Sequence, residues 1–382
     1  MTHIISCYSE EGHTLKKHLL STSAIALGTI ALAAPAAAQE WDVSFGGFMS
    51  QHVAYADLYG SALTAGGDYD GVDIHSNSEI IFTPSITLDN GLTFGVNVQL
   101  EGENGGSEID ESYMTISSDT LGQIIIGSEN SAGYKSMVGA PGVTSMYINS
   151  PSISTFIPFS AAFPGGFRQA GLSSYTEVAG NNDVSRLTYF TPSFNGLTVG
   201  VSYAPTGAIN VGNSFGVDKN TVLSDIFDIG VNYSQTFGTT SVTLAARYGV
   251  GDTPTLGNSD PETWGVGAQV GFADFTVGGS YAENDNGGVG GVGDNEGWSF
   301  GVTYDIAGPW ALEALTYQGE QTVAGGGNAD YEAYRIGASR DLGPGVDWDI
   351  YVVQVDADNG LAGAAYRDVG GTVIGTGINL SF

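Results

Sequence analysis

The segment Leu92-Thr-Phe94-Gly-Val96-Asn-Val98-Gln-Leu100 is apolar at every even position and small or polar at every odd one. In an extended strand this period of two gives one oily face and one wet face. The pattern recurs in Ile80, Phe82, Ile86 and Leu88, in Leu197, Val199, Val201 and Tyr203, and in Val242, Leu244, Ala246 and Tyr248. It returns in Trp264, Val266, Ala268, Val270 and Phe272, in Trp298, Phe300, Val302 and Tyr304, and in Ile374, Thr376, Ile378, Leu380 and Phe382. A soluble β-sandwich alternates too, but its wet face carries charges. Here the polar partners are mostly Gly, Ser, Thr, Asn and Gln, and most acidic residues fall between the runs. Charged residues make up only 13% of the chain, against about 25% in an ordinary globular domain. Strand middles that avoid charge on both faces suit hydrocarbon outside and water inside.

Beyond the N-terminus no stretch approaches the ~18 consecutive apolar residues of a spanning helix. Membrane crossing must then use strands, and unpaired strand edges cost several kcal/mol per backbone group in lipid, so the strands must close into a barrel. Short turns are expected near Asp89-Asn90-Gly91, Asp119 to Gly122, Ser193 to Gly196, Gly238 to Thr240, Ala273-Asp274, Ala307 to Pro309 and Leu342 to Gly345, each with the Gly, Asn, Asp or Pro chemistry of a tight hairpin. Longer acidic or Gly-rich loops are expected near 55–72, 101–109, 129–184, 205–224, 250–262, 283–296, 319–330 and 356–370. Seven turns alternating with eight loops join sixteen strands. The fold class is therefore an all-β, transmembrane antiparallel β-barrel of sixteen strands, wide enough for an aqueous channel. Even parity puts both termini on the short-turn side, where Phe194, Phe237, Phe272, Phe275, Trp310 and Phe382 would form an aromatic girdle at headgroup level.

Lys16, Lys17 and His18, the apolar run Leu19 to Ala34 and the small residues Ala36-Ala37-Ala38 have the layout of a secretory signal cleaved after Ala38. Domain organisation then reads 1–38 signal region and 39–382 barrel, with the first strand near Trp41. Residues 1–14 place Glu10 and Glu11 ahead of the basic segment, which fits a start codon assigned too far upstream. The one cysteine, Cys7, lies there, so the exported chain would hold no thiol.

Three segments resemble the general diffusion porins of Gram-negative bacteria, most closely an alphaproteobacterial branch. They are the run from Ile109 to Gly127, the run Arg186-Leu-Thr-Tyr-Phe-Thr-Pro-Ser-Phe-Asn-Gly-Leu197, and the C-terminal strand ending in Phe382. The resemblance implies a trimeric outer-membrane channel for small hydrophilic solutes, in contact with outer-membrane lipid and lipopolysaccharide, with the third loop folded into each pore. It also implies that Phe382 ends the signal read by the assembly machinery.

The interval 129–184 holds Tyr147, Phe156, Phe159, Phe163 and Phe167, too apolar for an external loop, and is expected to pack inside the barrel as the constriction; a packing loop at a subunit interface is the alternative. Family members typically set basic wall residues against acidic loop residues. This chain departs from that pattern, having no Lys or Arg between His18 and Lys135. The loop offers Glu129, Glu177 and Asp183 with Lys135 and Arg168, while strand phase puts Glu79, Asn97, Gln99 and Glu101 on the lumen side early and Arg186, Arg247 and Arg335 later. His75 also points inward on this phase, and a one-residue slip would reverse each of these facings. The formal net charge of −31 should enrich cations at the mouth. Asp68, Asp70 and Asp73 could hold Ca²⁺, with a solvated acidic loop as the alternative. No other cofactor is expected, and nucleic acid is not an expected partner. Enzyme function is not expected: the exported chain would have only His52 and His75, no Cys, no G-x-S-x-G elbow and no His pair at metal-ligand spacing. A substrate-specific channel and a surface adhesin are the rival classes.

Overall fold

The computed structural model describes residues 39–60, 68–102, 109–145, 156–157, 177–208, 216, 218–325, 327–361 and 367–382. The expected leader, 1–38, lies outside them. The described residues form sixteen antiparallel strands in one closed sheet. Strand β1 is Phe45–Tyr59, β2 Gly71–Phe82, β3 Thr93–Glu101, β4 Ile109–Ser118, β5 Gly122–Glu129 and β6 Val184–Phe190. Then come β7 Leu197–Thr206, β8 Ser224–Phe237, β9 Thr240–Asp252, β10 Glu262–Phe272 and β11 Phe275–Asp285. The wall is completed by β12 Asn295–Asp305, β13 Trp310–Val323, β14 Gly327–Gly343, β15 Val346–Asp358 and β16 Asp368–Ser381. Each strand pairs with the next, and β16 returns to β1 over a register running from Phe48↔Ser381 to Tyr59↔Gly370. Pro84 has no N–H to give, so β2 breaks at Thr83-Pro84 and resumes as Ser85–Thr87 against β3.

All seven expected short turns are present. The loop expected at 319–330 is not: β13 continues to Val323, β14 begins at Gly327, and Gln321 sits opposite Ala329. Its Gly and Gln content suggested loop, but β12 and β15 run alongside and accept its backbone groups, and pairing them outweighs the weak strand propensity. Gly325, at φ +100°, makes the reversal tight.

The alternation read from sequence sorts the two faces. Outward positions such as Val53, Tyr55, Ile229, Leu244, Val266, Phe300, Ile336 and Ile374 are exposed, whereas their neighbours in sequence are buried or half-buried within the barrel. At the long-loop end, outward tyrosines donate to outward carboxylates: Tyr59 to Asp356 at 2.9 Å, Tyr248 to Glu262 at 2.8 Å, Tyr281 to Glu296 at 2.8 Å and Tyr334 to Glu332 at 3.1 Å. Rings bridging oil and water in this way mark a membrane boundary. At the short-turn end the rings cluster among themselves, as in Phe272–Phe275 at 6.0 Å, Phe275–Tyr304 at 4.4 Å and Trp310–Trp348 at 5.6 Å.

Phe382 completes the seam. Its N–H donates to Gly47 O and its carbonyl accepts from Gly47 N–H, both at 3.1 Å. Deleting Phe382 removes two backbone bonds and a ring at the closure, about 1–3 kcal/mol by the usual net value of such bonds. The unheated, SDS-resistant form is expected to convert to the denatured band at a lower temperature than the full chain; an unchanged transition would refute this account of the seam.

Candidate functional site

The connection between β5 and β6 enters the barrel. It starts with a short helix, α1 (Ala132–Ser136), whose N-cap Ser131 accepts from Tyr134 N–H at 3.1 Å and whose Ser136 Oγ donates to Ala132 O at 2.7 Å. Inward-facing polar side chains of successive strands then catch the loop backbone. Ser202 on β7 accepts from Ala132 N–H at 3.1 Å, Asn232 on β8 donates to Ser136 O at 2.9 Å, and Gln269 on β10 donates to Gly139 O at 2.9 Å. Ser299 on β12 accepts from Ala140 N–H at 3.1 Å, and Glu313 on β13 accepts from the N–H groups of Val143 at 2.6 Å and Thr144 at 3.2 Å. Asp349 on β15 takes Ser145 N–H at 2.9 Å, and Ser145 Oγ lies 3.0 Å from His52 Nε2 on β1. Phe156 reaches the ring of His75 on β2, 6.1 Å away. The described loop residues, 130–145 and 156–157, thus follow the inner wall, with Met137, Val138, Ala140, Phe156 and Ile157 buried; Tyr147, Phe159, Phe163 and Phe167 lie outside the described residues. Inward glycines make room for it: a β-carbon at Gly230 would meet Ala132 O, and one at Gly267 would meet Val138 O.

The charged groups fall into three sets. Arg186 and Arg247 both approach Glu177, at 3.8 and 3.7 Å, and Arg247 also pairs with Asp228; all four side chains are at most 2% exposed. Arg186 further donates to Asn181 O at 2.8 Å, and Glu177 accepts from Ser131 N–H at 2.5 Å. On the opposite arc Arg335 pairs with Glu313 at 2.7 Å, again fully buried. The third set lines the early strands. Glu79 and Glu101 are direct cross-strand partners on β2 and β3. A register shift between Val98 and Leu100 against β4 leaves Leu100 opposite Ile109 and Val98 opposite Ser112, which turns both Asp110 and Glu111 inward. Glu111 accepts from Gln99 Nε2 and from Asn130 Nδ2, both at 2.7 Å. Glu129 forms an ion pair with Lys135 at 3.0 Å, and Lys135 stands 5.9 Å over the Tyr113 ring.

Of the residues that strand phase assigns to the lumen side, Glu79, Arg186, Arg247 and Arg335 are buried within the barrel, and Asn97, Gln99 and Glu101 are half-buried at alternate positions of β3. Asp183 takes a positive φ of 50° beside Asn182, whose amide donates to it at 2.7 Å. Arg168 lies outside the described residues. The sequence reading missed Asp110, Glu111, Asp228, Glu313 and Asp349. Asp228 and Glu313 carried a usable signal, a single carboxylate on the inward phase of a strand next to one bearing an inward arginine; the bulge that turns Asp110 inward left none. The three loop carboxylates considered for calcium each accept a backbone N–H: Asp70 from Leu58 at 2.7 Å, Asp68 from Asp70 at 3.2 Å and Asp73 from Ile74 at 2.7 Å. Among the described residues no group of three or more His, Cys, Asp or Glu is arranged to hold a metal ion.

A family model described as Gram-negative porin matches residues 21–360. No curated protein matches the chain significantly. Among solved structures, an anion-selective porin from Comamonas acidovorans is 17% identical and superposes with a TM-score of 0.59 over 90% of this chain and 100% of its own. A loop-deletion mutant of OmpT, an outer membrane protein of Vibrio cholerae, is 15% identical with a TM-score of 0.58, over 89% of this chain and 99% of that one. The outer membrane channel DcaP of Acinetobacter baumannii is 13% identical with a TM-score of 0.57, over 90% and 97%. At these identities the likeness establishes the fold.

Glu313 holds both a buried guanidinium and three groups of the loop, counting Thr144 Oγ1 at 2.8 Å. Glu313→Gln removes the counter-charge of Arg335 and is expected to cost about 3–5 kcal/mol, as for other broken buried pairs. It should lower the denaturant midpoint and raise open-channel current noise as the loop loosens; wild-type values of both would refute the brace. Gly267→Val should force residues 137–139 off the wall and into the channel, lowering single-channel conductance, with about 1–3 kcal/mol of overpacking strain.

Proposed function

The chain belongs to the Gram-negative porin family, a family of outer-membrane diffusion channels rather than enzymes, and from that premise we propose that it passes small hydrophilic solutes and ions with a preference for cations. The observation that carries the preference is the fate of the arginines. Arg186, Arg247 and Arg335 face inward, yet each is buried at the wall against a carboxylate with its side chain 1–2% exposed. A guanidinium neutralised in that way adds little field to the channel water. The early-strand wall carries Glu79, Glu101, Asp110 and Glu111, and no lysine or arginine occurs anywhere between His18 and Lys135. Rings of fixed carboxylate concentrate cations over roughly one Debye length, about 10 Å at 0.1 M salt.

In this reading Glu79, Asn97, Gln99, Glu101, Glu129, Lys135 and Asp183 line or brace the constriction, while Glu177, Arg186, Arg247 and Arg335 hold its shape. The fold alone does not set the sign of selectivity, since one solved neighbour is named an anion-selective porin. A neighbouring structure is named as a trimer form, which supports a homotrimer here, with the remaining outer wall against lipid. We assign Phe382, bonded at the seam, to the terminal segment read during assembly.

The reversal potential of purified, unheated protein in a planar bilayer under a KCl gradient tests the preference. A value displaced toward the potassium equilibrium potential is expected, with the displacement reduced in Glu79→Gln/Glu101→Gln and weakened further by high salt. Displacement toward chloride would overturn the proposal.

A further inference from the structure

Of the basic residues described, Lys135, Arg186, Lys219, Arg247, Arg335 and Arg367 each form an ion pair. Arg340 does not: no described carboxylate lies within ion-pair distance of its guanidinium, and its Nε is buried without an acceptor. Its even position on β14 places it on the outward face with Glu332, Tyr334 and Ile336. The lone unpaired guanidinium among the described residues of a strongly acidic chain therefore faces lipid, where a bare charge is costly unless it meets a counter-ion.

Its depth identifies the counter-ion. Trp310, Arg340 and Trp348 are direct cross-strand partners on β13, β14 and β15. The Arg340 guanidinium carbon lies 5.5 Å from the centroid of the Trp310 ring, and the two indoles are 5.6 Å apart. Trp348 is fixed in turn by its Nε1–H, which donates to Thr376 Oγ1 at 2.7 Å. Outward tryptophans at the short-turn end mark the headgroup level. Eight residues separate Arg340 from Glu332 on the same strand, which at ~3.4 Å per residue and a tilt of ~40° spans about 21 Å along the membrane normal, close to the ~25 Å height of a barrel's apolar band. Glu332 thus marks the external boundary and Arg340 the periplasmic one. Between them the outward Leu312, Ile336 and Ile350 offer a surface for acyl chains.

We infer that Arg340, over the Trp310 ring and flanked by Trp348, is a binding site for the phosphodiester of a glycerophospholipid in the periplasmic leaflet. The indole holds the guanidinium by cation–π attraction, and the planar fork suits two parallel bonds to phosphate oxygens, a geometry that a lysine cannot copy. Charge supplies the head contact, and the apolar wall above it takes the chains.

Native mass spectrometry of the delipidated protein in detergent, titrated with dioleoylphosphatidylglycerol or with dioleoylglycerol, tests the site. Wild type should bind the phospholipid about tenfold more tightly than Arg340→Gln, the weight of one charge-assisted contact. The two should bind the phosphate-free diacylglycerol equally, and excess inorganic phosphate should not displace the phospholipid. Equal phospholipid binding by both proteins would overturn the assignment. So would displacement by inorganic phosphate, which would point to a soluble-anion site. Dissociation of the Arg340→Gln oligomer with lipid binding per chain unchanged would overturn it in favour of a subunit contact. Should Arg340→Gln not insert, Arg340→Lys carries the test: about threefold weaker binding is expected from loss of the planar fork, and unchanged binding overturns the proposal.

Discussion

Each backbone N–H and C=O that enters hydrocarbon must find a partner within the protein, and in a chain of strands only closure provides one for the first and last. The β1–β16 pairing, extended to the final residue by Phe382 and Gly47, meets that demand. Once the sheet is closed, inside and outside are topologically separate, and the alternation of side chains becomes a division between two solvents. The outward residues have little choice but to be apolar. The inward ones are free to be polar, small or charged, and the internal loop exploits that freedom.

The loop is long enough to fold in many ways, yet it follows the wall because its backbone would otherwise have to be solvated in a confined space. Serines, amides and carboxylates from β7, β8, β10, β12, β13 and β15 accept or donate at successive loop positions. The same carboxylates hold the arginines. Glu313 serves both Arg335 and the loop, and Glu177, itself on the loop, serves Arg186, Arg247 and Ser131. Electrostatic neutralisation of the late strands and positioning of the internal loop are therefore one arrangement.

Much of this was legible from residues alone, because lipid imposes a simple pattern. Alternation such as Val242-Thr-Leu244-Ala-Ala246 is read without knowing the neighbours, and hairpin chemistry such as Asp89-Asn90-Gly91 is local. The inward facing of Arg186, Arg247 and Arg335 followed from parity. Their strand partners Asp228 and Glu313 carried a parity signal too, whereas Glu177 did not, since its approach to Arg186 and Arg247 depends on how a loop of some fifty residues folds back. Asp110 was hidden by a bulge that breaks parity for one residue, and the 319–330 hairpin by a composition that looks like loop until its neighbours are present. Local rules carried the wall; long-range hydrogen bonding decided the interior.

An internal loop tied to seven strands also has a mechanical meaning. A closed thin wall resists stretching along its strands far better than it resists being squeezed from round to oval, because flattening needs only small bends at each strand pair. Ties running round the inner circumference, from Ser202 through Ser299 and Asp349 to His52, oppose that deformation as a hoop stiffens a pipe. The same loop would then keep the barrel's cross-section steady under the lateral pressure of the bilayer, so that the polar side chains that position it also set the stiffness of the wall.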